Sequence, residues 1–89
     1  MAAASVEKGT SLAELERVAG TPSVRRNVVS TEKTDLCADD ALNVKAVEYH
    51  AYDGVANVFG VFGGPPSFVV VVCLDHRDTV TATHFFHNN

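Results

Sequence analysis

The sequence predicts a small α+β domain, with one short N-terminal helix packed on an antiparallel sheet of three or four strands. Three observations predict it. Residues 11–22 carry a helix together with its start and stop signals. From Val44 onward, apolar and polar residues alternate at the strand period, and the run Phe68–Leu74 is short, apolar and rich in β-branched residues. The 89 residues are enough for one domain, read here as residues 11–89 behind a small, polar, flexible arm at 1–10. Hydrophobic residues make up 46% and charged residues 20%, which argues against disorder and against coiled coil.

Ser11 with Glu14 forms a capping box, and Leu12, Leu15, Val18 and Ala19 follow at helical spacing on one face. Glu14, Glu16 and Arg17 take the wet side. Gly20 supplies the stop and Pro22 forbids continuation. Residues 23–34 set Val24, Val28 and Val29 among polar residues, in a second short helix or a first strand; the reading leans to a strand. The acidic stretch 34–43, with Asp35, Asp39 and Asp40, reads as a solvated loop or helical turn. Val47, Tyr49 and Ala51 then alternate with Glu48, His50 and Tyr52 up to Asp53-Gly54, a two-residue type I′ hairpin signal. That turn pairs Tyr52 with Val55, His50 with Asn57 and Glu48 with Phe59, and sets Tyr49 against Val58. Gly63-Gly64-Pro65-Pro66 makes a corner, Phe68–Leu74 the next strand, His76-Arg77-Asp78 a turn and Thr79–His87 the last strand.

The strand Phe68–Leu74 is apolar on both parities, so both faces of the sheet need cover. The helix can bury Phe68, Val70, Val72 and Leu74 against Leu12, Leu15 and Val18. Val69, Val71 and Cys73 need a second cover, either residues 23–43 or another chain. Because residues 23–43 are mostly polar, the expectation is a homodimer or a protein partner over that face, with Phe59, Phe62, Val69 and Val71 as the interaction surface. Of the two cysteines, Cys73 reads as a buried core residue and Cys37, in a polar stretch, as a free accessible thiol. A bridge between them requires Cα atoms within roughly 7 Å, which spacing alone does not set, so the redox compartment stays open.

Charge and motif content narrow the function classes. The formal charge of −4 and the lack of a basic patch disfavour nucleic acid. No apolar run approaches the roughly 20 residues of a membrane helix. The opening Met1-Ala2-Ala3-Ala4-Ser5 lacks a cationic and an apolar leader region, so the chain as written reads as cytoplasmic, or as periplasmic or envelope if a leader was removed. Of the histidines at 50, 76, 84 and 87, His84-x-x-His87 places its two rings on opposite faces of a strand, so no metal and no other cofactor is expected. The favoured function is a non-enzymatic interaction or assembly module. The alternative is a small-ligand-binding domain or small enzyme with Tyr49, His50, Tyr52 and His84 lining a pocket.

The segment Gly9-Thr10-Ser11-Leu12-Ala13-Glu14-Leu15, followed by Val18-Ala19-Gly20-Thr21-Pro22, resembles the opening of SmpA/OmlA-like domains. The strand bearing Tyr49 and Tyr52, the apolar strand Phe68–Leu74 and the strand containing Val80 continue the resemblance through Phe86. It implies a β-lactamase-inhibitor-like fold and a role in scaffolding and protein contact, with no catalytic residues. The chain departs from the pattern in lacking a lipid-anchored N-terminal cysteine and a strand tryptophan, and in the length of Ser30–Asn43.

Overall fold

The computed structural model describes residues 6–29, 31, 35–51 and 68–87. In order they form α1 (Leu12–Ala19), β1 (Val24–Asn27), a 3-10 helix (Leu36–Asp39), β2 (Asn43–Ala51), β3 (Phe68–Asp75) and β4 (Val80–His87). The four strands make one antiparallel sheet in the order β1-β2-β3-β4. The chain is therefore α+β among the described residues.

The helix begins and ends for the reasons its sequence gives. Ser11 stands at the N-cap with extended backbone, and its hydroxyl accepts the Glu14 N–H at 3.1 Å. Gly20 closes the other end at φ +84°, ψ −170°, a region open only to glycine, while its N–H donates to Glu16 O. Its carbonyl accepts the Tyr49 hydroxyl at 2.8 Å, which ties the end of α1 to β2. The start of α1 is tied to the β3–β4 turn, where the Leu12 N–H donates to Asp78 O at 2.7 Å. Residues 6–10 lead into this anchor, and Gly9 and Thr10 both hydrogen-bond to Val80.

One face of the sheet carries Val47, Tyr49, Val70, Val72, Leu74 and Val80 in a single buried cluster with Leu15, joined by the half-buried Leu12 and Ala19. Val18, expected on the same helix face, is 48% exposed. At 3.6 residues per turn it stands about 90° from the middle of the Leu12–Leu15–Ala19 stripe, and an eight-residue helix buries only that narrow stripe.

The opposite face is covered from within the chain. After β1 the chain crosses to this side, where Asp35 caps the 3-10 helix by accepting the Cys37 N–H at 3.1 Å. Cys37 then bonds to Cys73 of β3 as a disulfide, with Cα atoms 5.5 Å apart. The expectation of an accessible Cys37 thiol is overturned, since both sulfurs are in the bridge and both cysteines are 0% exposed. Cys37, Ala46, Val71 and Cys73 form a second cluster, with Val28, Val69 and Ala82 packed against it. Cover for the second parity at Val71 and Cys73 thus comes from Val28 and Cys37 within the chain, and burial there does not require another chain.

The Asp53-Gly54 turn and its partners Val55, Asn57, Val58 and Phe59 lie outside the described residues. On β2, however, the Glu48–Phe59 pair of that register has no place. Glu48 lies between Val24 of β1 and Val71 of β3, and His50 lies opposite Val69. With hydrogen-bonding partners on both edges of β2, no edge is left at Glu48 for a strand containing Phe59. The His76–Asp78 turn forms as expected, with Asp75 Oδ1 accepting the Arg77 and Thr79 N–H groups.

Candidate functional site

Strand alternation distributes the chemistry-bearing side chains between the two faces. On the disulfide face, Arg26 of β1 projects beside Glu48 of β2, while Asp35 approaches from the crossing segment. The Arg26 guanidinium donates to Asp35 Oδ2 at 2.7 Å and to Glu48 Oε2 at 3.0 Å. Glu48 Oε1 lies 3.0 Å from His50 Nε2, so Asp35, Arg26, Glu48 and His50 form one continuous polar chain along the face. The His50 backbone N–H donates to Ser23 Oγ.

The electrostatics follow from this chain. Burial alone pushes the Asp35 carboxyl up, but the Arg26 guanidinium and the N–H groups of Val29 and Cys37 outweigh it and hold the pKa below the usual carboxylate range. Glu48 behaves alike: burial raises it, and hydrogen bonds from His50 and Arg26 bring it below its ordinary value. Arg26 is held above its usual value, chiefly by its bond to Asp35. Every buried side-chain nitrogen and oxygen among the described residues has a partner. The chain is consequently a hydrogen-bonded strut that ties the crossing segment to the sheet.

Of the residues proposed for a Tyr/His pocket, Tyr49 points to the helix face and donates to Gly20 O. Burial, followed by the negative charge of Glu16, pushes its phenol up. His50 and His84 occupy the other face. His84 stands opposite Val71, and Val71 opposite Glu48, so two strand spacings, about 10 Å, separate His84 from Glu48. The structure therefore does not bring Tyr49 together with the two histidines, and Tyr52 lies outside the described residues. Among the described residues no three His, Cys, Asp or Glu side chains gather as a metal site.

Of the expected interaction surface, Val71 is 6% exposed and belongs to the interior, while Val69 is half-buried beside it. Phe59 and Phe62 lie outside the described residues. Other large apolar side chains are left in solvent. Val29, Leu36, Leu42 and Val44 are exposed on or beside the crossing segment, and Phe85 and Phe86 are exposed on β4. Sequence reasoning counted Val29 and Leu36 as apolar resources for covering the sheet, and it placed none of the four on an interaction surface. The signal that could have found them is their position in a segment that must spend Val28 and Cys37 on the sheet.

A groove of about 300 Å³ opens beside the start of α1, lined by Leu12, Val47 and Leu74 together with Arg25, Asn27 and Lys45. Its cations are already engaged: Arg25 pairs with Glu16 at 2.6 Å and Lys45 with Asp78 at 2.9 Å. No family model, no curated protein and no solved structure was found to match the chain.

Proposed function

We propose that the protein is a non-enzymatic interaction or assembly module that binds a partner protein or a second copy of itself, as the SmpA/OmlA-like resemblance implies. The observation that carries this reading is the group of large side chains held in solvent on a rigid frame. Leu42 is 64% exposed and Val29 47%, both beside a segment fastened to the sheet by the Cys37–Cys73 bridge and the Arg26–Asp35 pair. Exposed aliphatic and aromatic groups on a backbone that loses little freedom on binding favour protein contact, because little ordering entropy opposes association. The expected surface shifts accordingly from Val71, which is interior, toward Val69 and the exposed residues of the crossing segment. The buried disulfide supports an oxidising compartment, such as a periplasm or an extracellular space, as the place where the module works.

The test is a photo-crosslinking amino acid placed at Leu42 or Phe86, with the polar exposed positions Lys8 and Arg77 as controls. A discrete adduct formed at the apolar positions and absent from the controls is the expected result. Equal crosslinking at all four positions overturns the reading.

A further inference from the structure

We propose that the outer edge of β4, from Thr81 to His87, pairs with the same edge of a second copy of this chain, so that two four-stranded sheets join into one. The inference deepens the self-association arm of the proposed function and rests on it. β4 is the terminal strand of the sheet, and among the described residues its outer side is engaged only at its start. There Gly9 donates to Val80 O and Val80 to Thr10 O, each at 2.8 Å, with Ser11 bridged to Thr79. No described residue hydrogen-bonds to the outer side from Thr81 onward. Such a row of free backbone donors and acceptors is a template for another strand.

The composition of the edge selects the occupant. Thr81-Ala82-Thr83-His84-Phe85-Phe86-His87 holds no Asp, Glu, Lys, Arg or Pro, the residues with which proteins blunt an edge. A two-fold axis sets an edge against itself, so any fixed charge near the axis meets its own copy; this edge has none. The opposite edge, β1, has four residues and contains Arg25 and Arg26, which such an axis would bring together.

Antiparallel pairing that uses the whole free stretch puts the axis at His84. Ala82 then lies opposite Phe86 of the second copy, and Thr83 opposite Phe85 of the second copy. Directly opposed residues share a face, so these pairs respect the side assignments of the sheet: Ala82 and Phe86 pair with Cys73 and Val69 on the disulfide face, Thr83 and Phe85 with Val72 and Val70 on the other. A small residue faces a large one in each pair. Phe85 and Phe86, 50% and 41% exposed in the single chain, gain cover on both faces at once.

The experiment is sedimentation equilibrium of the intact, oxidised protein from about 1 μM to about 300 μM. The expected result is a reversible dimer of twice the 9.5 kDa chain mass. His84→Lys and His84→Glu place like charges at the axis, and each should weaken the dimer by about 30-fold or more, with circular dichroism unchanged. Mixing the two variants in equal amounts should restore association, since the Lys edge then meets the Glu edge. A wild type that stays monomeric throughout overturns the proposal, as does a dimer indifferent to both His84 variants. A heterologous adduct at Leu42 alongside a monomeric wild type would sink the β4 pairing and leave the partner-binding function standing.

Discussion

Reducing the Cys37–Cys73 bridge is the perturbation whose size the structure sets most directly. The bridge closes a loop between cysteines 36 positions apart. In the chain-entropy account, a loop of this length removes about 4 kcal/mol of freedom from the unfolded chain. A domain of this size has a total stability of about 5–13 kcal/mol, so reduction should spend a large share of it. A further cost arises in the folded state, because both sulfurs lie in the interior with Ala46 and Val71, and two thiols need more room than one bond. The assay is urea unfolding followed by circular dichroism, with and without a reductant, alongside the double variant Cys37→Ala/Cys73→Ala. Stability should fall by about 3–5 kcal/mol on reduction, and the slope against urea should rise as the unfolded chain expands. The native oxidised protein should take up no thiol reagent at either cysteine, since neither sulfur is free. Oxidised and reduced proteins with the same unfolding midpoint would refute the reasoning, as would rapid labelling of Cys37 without reductant.

Asp35→Ala should cost about 3 kcal/mol, because it leaves the Val29 and Cys37 N–H groups without their acceptor and deprives Arg26 of its closest carboxylate. The carboxyl of Asp35 titrates below its unfolded value, so its stabilisation is present above that value, about pH 4, and is lost as the pH falls through the lower folded value. Stability curves of wild type and Asp35→Asn should therefore converge on acidification; a gap that stays constant down to about pH 2 counts against the charge-based account. Gly20→Ala should cost about 1–3 kcal/mol from backbone strain alone, since an added Cβ meets nothing within 4 Å while φ is +84°. Thermal unfolding measures it, and an unchanged midpoint would show that the helix ends differently.

The sequence by itself determined the elements whose signals are local. The Ser11 cap, the Gly20 stop, the apolar strand at Phe68 and the turn at His76–Asp78 appear where short-range rules put them. Each depends on residues a few positions apart, whose backbone preferences hold in almost any surroundings. Short-range rules left helix or strand open in 23–34 and loop or helical turn open in 34–43, which the structure settles as β1 and the 3-10 helix. What only the tertiary structure decided depends on residues brought together from a distance. Cys37 looked accessible because its neighbours are polar, yet Asp35 turns the chain so that the thiol meets Cys73 across the sheet. Glu48 and His50 looked like the wet side of a strand, yet Arg26, held by Asp35, bonds to Glu48, and Glu48 to His50, so that side is half-buried. Tyr49 and His50 looked like partners in a pocket, and the sheet itself divides them, because successive side chains of a strand face opposite ways. A two-residue period records that a face alternates; it carries no record of which distant segment will cover that face, and that is settled only when the chain closes on itself.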